Sequence, residues 1–344
     1  MRKIHAGIVG VGSAVFDLVD NRTVSKWRGV TKTPAQIEKS TGIVTRSIAK
    51  PGETTSMLAE RAARSAIIDA GRDPTDIDYI IVATNTPDYL VPQVASIIQA
   101  KLGIKCRAAD VKAGCAGFAG ALEMAEALIA TGRYRNVLVI GVDLLSHITD
   151  RRTSTAMLLG DGAGAVVVSA VSKRYGFAAF TGGSDGSQLD KLWIPEGGTA
   201  QPITASGIRS GQNMLQMDGY EVYSFGIKTI DACVRELAEQ LGVGLDQIDW
   251  VVCHQANWKM IAKAADALGM SIERFAKDLD EHGNTSNGSI GLALDKYVGT
   301  RQIKRGQLVI MIGFGAGLVW YACACRWAYN RPSARTLRKR ASAA

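Results

Sequence analysis

No CxxC pair occurs in this 344-residue chain, although it has six cysteines. Cys106, Cys115, Cys233, Cys253, Cys323 and Cys325 are too scattered for a disulfide framework, so a reducing cytoplasm is the expected compartment. Cys323 and Cys325 alternate along an apolar run and share one face of a strand; further ligands are missing, so no metal site is expected. The amino end lacks an apolar h-region and a cleavage site, so export is not expected either. Acidic residues are missing from the last 14 positions, where Arg331, Arg335, Arg338, Lys339 and Arg340 supply five of the net +8 charges. The remaining body is only mildly basic, which argues against a nucleic-acid partner, and the tail reads as a basic, unstructured arm. Charge is also missing from Leu308 to Cys325, 18 residues in all, the length of a membrane helix. Gly313-Phe-Gly-Ala-Gly317 interrupts that stretch, so two buried strands around a glycine turn are expected and no membrane span. Near the amino end, Gly7-Ile-Val-Gly-Val-Gly12 lacks the third glycine of a dinucleotide loop, because position 15 is Val15; a nicotinamide cofactor is not expected.

What is present is a globular composition, 47% hydrophobic and 21% charged, and a duplication. Ile77-Asp-Tyr-Ile-Ile-Val82 matches Ile248-Asp-Trp-Val-Val-Cys253, 171 positions later. Arg135-Asn-Val-Leu-Val-Ile-Gly141 matches the run from Gly306 to Gly313, which ends 172 positions later. Helical runs lie between the members of each pair (120–128 and 292–297), and another precedes each unit (57–70 and 227–238). Each half thus reads as a βαβ unit with a helix before it. The fold class is α/β, with a half at 1–170, a second at 171–329 and the basic tail at 330–344.

Sites in such sheets form where strands end and loops meet helices. Cys115 lies in Asp110-Val-Lys-Ala-Gly-Cys-Ala-Gly-Phe118, between a strand-like and a helix-like run. There the positive end of a helix dipole favours the nucleophilic thiolate. His254 directly follows the strand ending at Cys253, and Asn284 precedes the second helical run. At an offset of 172, Cys115 falls on Asn287, three residues from Asn284. A cysteine can accept an acyl group as a thioester, while a neutral histidine and an asparagine amide can each donate to an oxyanion. Read singly, each has a plain alternative: buried structural cysteine, strand-end core histidine, turn-forming asparagine. His5 and His147 stand alone and need no function; His282 reads as a loop histidine close to Asn284.

Taken together, Gly114-Cys-Ala-Gly-Phe118, Gly160-Asp-Gly-Ala-Gly-Ala165, His254-Gln-Ala-Asn257, Gly283-Asn-Thr-Ser286 and Gly313-Phe-Gly-Ala-Gly317 resemble the β-ketoacyl-ACP synthase III family of the thiolase superfamily, over about His5 to Arg326. The resemblance implies a five-layer αβαβα fold, a homodimer, and acyl transfer to Cys115 followed by decarboxylative Claisen condensation with malonyl-ACP. It makes His254 and Asn284 the pair that holds the enolate, and the backbone N–H groups of Cys115 and Ala316 a second oxyanion site. Substrates ride on the phosphopantetheine of acyl carrier protein or coenzyme A, and no separate cofactor is implied. Gln255, Asn257 and Lys259 match the stretch that touches the carrier, and Gly160 to Ala165 is expected to form a tight turn.

Departures from the family bear on the substrate. Gln36 and Ser40 stand where bacterial housekeeping members have the Trp and Arg that grip coenzyme A; another such Arg aligns near Thr153, with Arg151 and Arg152 close by. Val91 replaces a Phe that often closes the acyl tunnel across the dimer interface. Lys112 replaces a small residue, and is expected to bias the thiol toward thiolate, to meet an acidic substrate group, or to face solvent or the dimer. These changes point to a specialised polyketide-type role rather than housekeeping fatty acid synthesis. Two alternatives are a same-fold acyltransferase to an amine or hydroxyl, with His254 as base, and a non-catalytic subunit that binds an acyl carrier.

Overall fold

The computed structural model describes residues 4–342. Two main sheets carry the architecture. Strands β1 (His5–Ala14), β2 (Tyr79–Ala83), β3 (Arg107–Val111), β4 (Asn136–Leu144) and β5 (Asp161–Val171) form the first, in the spatial order β1-β5-β4-β2-β3. Strands β6 (Gly176–Ser184), β7 (Trp250–Cys253), β8 (Leu308–Gly315) and β9 (Val319–Arg326) form the second, in the order β7-β8-β9-β6. The sequence repeat reappears as topology. β2 and β4 pair in parallel, as do β7 and β8. β5 runs antiparallel between β4 and β1, and β9 does the same between β8 and β6. Only β3 lacks a full counterpart; a single parallel bridge from Val251 to Phe275 holds its place.

Helices α1 (Thr55–Ala70) and α2 (Val94–Lys101) cover the outer face of the first sheet, and α4 (Gly219–Leu241) and α5 (Trp258–Leu268) the outer face of the second. Between the sheets lie α3 (Gly117–Ala130) and α6 (Gly288–Gly299). The result is five layers, αβαβα. Local chemistry sets the helix ends: Thr54 and Asp218 cap the starts of α1 and α4, and Gly71 and Gly242 end them in the left-handed conformation. The buried stripe of α1, Leu58, Ala62, Ala66 with Ala59, Ala63 and Ile67, is the apolar face of a surface helix. Along β8 the faces alternate: Val309 and Met311 enter the central layer, Leu308, Ile310 and Ile312 the outer one.

The uncharged stretch from Leu308 to Cys325 is the β8–β9 hairpin, with both Cys323 and Cys325 on the central face. Among the described residues, no helix is long and apolar enough to cross a membrane. Cys233 packs in the core beneath α4. Residues Gly160 to Ala165 differ from expectation: they do not make a tight turn but lead into β5, extended from Asp161 onward. Their small size serves packing, because a Cβ on Gly164 would lie 2.4 Å from the Cα of Gly291 in α6.

The basic tail is also not an unstructured arm. It forms helix α7 (Ala334–Ala341), and Arg340 donates to the carbonyl of Asp69 at the end of α1. Just before it, Arg331 pairs with Asp69 at 3.2 Å and with Asp295 of α6, and donates to the Val11 carbonyl. Tyr329 and the Val11 N–H converge on the same Asp69 carboxylate, at 2.6 and 2.9 Å. This cluster bolts β1, α1, α6 and the tail together, and its side chains are largely buried. Removing one partner of a buried pair leaves the other charge uncompensated. Arg331→Met is therefore expected to cost about 3 kcal/mol of stability, read as a lower denaturant midpoint with an unchanged slope.

Candidate active site

Two strand ends and a loop meet over the central helices. Cys115 sits in the loop from β3 to α3, His254 follows β7, and Asn284 lies in the loop before α6. All three line one cavity of about 310 Å³. Gly114, at φ 52°, makes the elbow, and a Cβ there would collide with Ala316 at 2.5 Å. A Cβ on Gly315 would lie 2.6 Å from the Cys115 nitrogen and 3.1 Å from its sulfur. The glycine loop after β8 therefore lies directly on the cysteine, and brings the Cys115 and Ala316 backbones together. Ala316 is not among the positive-φ residues, so alanine sits there without strain.

The helix dipole does not decide the state of the thiol. Burial pushes Cys115 up to about 12; a hydrogen bond with Ser286 works the other way, and the nearby Asp143 charge adds to the rise. Cys115 is therefore held as a thiol, not as the thiolate expected from its place before a helix. Burial likewise pulls His254 down to about 4, so its ring is neutral at physiological pH. Phe314 stands edge-on to it with ring centroids 5.2 Å apart.

His254 Nδ1 is 2.9 Å from the Ser289 hydroxyl, whose oxygen lies 2.7 Å from the Ser286 carbonyl. The hydroxyl has one proton for two acceptors. Given to Ser286, it requires Nδ1–H on the ring and leaves Nε2 bare; given to Nδ1, it makes Nε2–H the donor. The Ser286 carbonyl also accepts from the Ser289 N–H at 3.1 Å, so it keeps a partner either way. Asn284 is oriented without ambiguity. Its Oδ1 accepts the Ser286 N–H at 3.0 Å, which leaves the amide N–H₂ as its donor. Ser286 itself holds φ 50°, a strained conformation for a residue with a side chain.

Beneath the cysteine lies a buried carboxylate that sequence reasoning missed. Asp143, at the end of β4, accepts from the Asn85 N–H at 2.6 Å, from the Asn85 amide at 3.1 Å and from the Asn287 amide at 2.8 Å. Burial raises its pKa against these hydrogen bonds. Asn287 in turn accepts the Phe118 N–H of α3 at 3.1 Å, so one half of the chain caps the helix that follows Cys115 in the other. The repeat offset that placed Cys115 on Asn287 was the available signal for that contact. Nothing in the sequence marked Asp143, Ser289 or Asn85.

The other expected site residues divide. Lys112 lines the cavity; so does Asn257, which caps α5 by accepting the Lys259 N–H at 2.9 Å. Lys259 lies outside, in a shallow surface pocket with Lys32 and Lys39. Gln255 is a correction. It is fully buried, donates to the Cys253 and Ala276 carbonyls and accepts from the Asp278 N–H, so it braces the loop and reaches no carrier surface. Arg151 and Arg152 stay out of the cavity as well: Arg151 lies over the Trp27 ring at 4.8 Å and Arg152 pairs with Asp150 at 2.8 Å. Val91, 83% exposed, does not close the cavity of its own protomer. His282 pairs with Asp278 at 2.9 Å, outside the cavity lining.

Comparison with known proteins shows the family and the fold. The family model described as 3-oxoacyl-[acyl-carrier-protein] synthase III matches residues 109–186, and its C-terminal companion matches 238–327. A β-ketoacyl-[acyl-carrier-protein] synthase III of Neisseria gonorrhoeae is 44% identical over 322 residues, 92% of this chain and 98% of that one. The crystal structure of the 3-oxoacyl-(acyl carrier protein) synthase III of Pseudomonas aeruginosa superposes with a TM-score of 0.87 at 33% identity, covering 95% of this chain and all of the other. The priming β-ketosynthase of the R1128 polyketide biosynthetic pathway does so with 0.88 at 32%, covering 96% and 98%.

Ser289→Ala leaves only a carbonyl beside Nδ1 and so fixes the proton there. Decarboxylation of a malonyl thioester is expected to fall about 100-fold, as for loss of one oxyanion donor, while acylation of Cys115 persists. Equal loss in both half-reactions would contradict this.

Proposed function

The chain belongs to the 3-oxoacyl-acyl-carrier-protein synthase III family, and we propose how its residues divide the work of that family's reaction. It is a condensing enzyme of the acyltransferase type with a thiolase-like fold. The observation that carries the assignment of roles is that Cys115, His254 and Asn284 line a single cavity.

Cys115 attacks the carbonyl carbon of an acyl thioester. Its proton passes to bare His254 Nε2 and from there to the departing carrier thiolate, while the oxyanion rests on the N–H groups of Cys115 and Ala316. A malonyl thioester then takes the carrier's place. Its C–C bond to the carboxylate breaks, carbon dioxide leaves, and the electron pair forms an enolate. The enolate oxygen accepts from the Asn284 amide and from His254 in its Nε2–H form. The enolate carbon attacks the acyl-enzyme, and Cys115 leaves as thiolate and regains a proton from water.

Acyl carrier protein is the carrier for the malonyl unit, as the names of the relatives imply. Its acidic surface or phosphate is read by Lys259, Lys32 and Lys39, which share one pocket outside the cavity. A homodimer is supported by two features of the first sheet: β3 is an edge strand, and the adjoining loop exposes Tyr89, Leu90 and Val91 at 62%, 92% and 83%. Six free thiols fit a reducing cytoplasm. Likeness to the R1128 priming enzyme supports a polyketide-type role. Transfer to an amine or hydroxyl is the weaker reading, since the relatives are named as synthases.

Cys115→Ala is expected to abolish the acyl adduct seen by intact mass spectrometry while malonyl-ACP still loses labelled carbon dioxide. Persistent acylation of that variant would refute the assignment. Asn284→Ala should slow decarboxylation by about 3 kcal/mol of barrier, the cost of one oxyanion donor.

A further inference from the structure

We propose that Lys112 selects the acyl donor, and that the donor is a short dicarboxylic acid held as its half-thioester, with the free carboxylate on the lysine. The inference rests on the assignment of Cys115 as acyl acceptor.

Among the described residues lining the cavity, Lys112 is the only one with a formal charge at neutral pH. The wall is otherwise mostly apolar, with Leu145, Leu159 and Leu192 among its members. Among the described residues Lys112 forms no ion pair and no hydrogen bond through its ammonium, whereas cations such as Arg152 and Lys277 are matched to acids.

Lys112 lines the cavity with an exposed side chain, so a methyl-terminated chain gains nothing from its ammonium. A carboxylate at the chain end returns a charge-assisted hydrogen bond. Reach limits the length. Lys112 is three residues from Cys115, so their Cα atoms are at most about 10 Å apart, and a cavity of about 310 Å³ holds a short chain. The Asn85 amide also lines this cavity, but it is held by the Gly114 carbonyl at 3.1 Å and by Asp143, which leaves the lysine as the free partner for an acid.

The test uses pantetheine thioesters, the part shared by coenzyme A and acyl carrier protein, with the full-length protein. Succinyl and glutaryl thioesters are compared with butanoyl and pentanoyl, and the rate of the Cys115 adduct is followed by intact mass. The carboxylated donors are expected to react about threefold faster, the worth of one exposed ion pair. Lys112→Ala should erase that preference, and Lys112→Arg should keep it. Faster reaction of the wild type with butanoyl, or an equal effect of Lys112→Ala on both classes, overturns the inference and leaves the role of Cys115 standing. No adduct with any donor overturns the role of Cys115 itself.

Discussion

Where α6 crosses β5, no side chain separates helix from sheet. A Cβ on Gly291 would lie 2.6 Å from the Cα of Gly164, and one on Gly288 would lie 2.4 Å from the Gly162 carbonyl. The same contact recurs in the other half, where a Cβ on Gly313 of β8 would lie 2.8 Å from the Cα of Ala116. These backbone-to-backbone approaches draw the two central helices onto both sheets at once. Any added methyl must displace a helix, because interiors at native density have nowhere to put it. The helix starts carry the site, so this spacing fixes how far Cys115 stands from His254 and Asn284.

Polar groups forced together by that packing set the resting electrostatics. Asp143 is buried under the cysteine and spends its carboxylate on Asn85, Asn287 and their neighbours. Burial keeps the thiol protonated, with the Asp143 charge adding to the effect, and burial alone keeps the imidazole neutral. A neutral site suits a reaction that opens with acyl transfer from a thioester to a thiol and creates negative charge only at defined oxygens. The donors proposed for those oxygens include the Asn284 amide, which is already oriented, so little reorganisation is needed there when charge appears. Ser289 stands apart from this rigidity, since its one proton can serve either of two acceptors without leaving a carbonyl unpaired.

The tail shows the same economy at a larger scale. Asp69 in α1, Asp295 in α6 and Arg331 after β9 come from distant parts of the chain, and their mutual neutralisation ties the outer layer to the central one. Arg331 read as part of a solvated arm because its acidic partners lie 262 and 36 residues earlier, outside any local window.

Periodicity and repetition in the sequence determined the α/β class and the paired halves, because strand length and helical spacing are local properties of the chain; Cys115, His254 and Asn284 stood out by their strand-end and glycine-flanked positions and by resemblance to the family. Tertiary structure alone decided what surrounds those residues. Desolvation overruled the helix dipole at Cys115; burial turned Gln255 from a surface contact into a brace; and Asp143, Ser289 and the cavity wall around Lys112 converged from segments that are remote along the chain. Proton affinity and exposure depend on everything packed nearby in space, and order along the chain carries little of that.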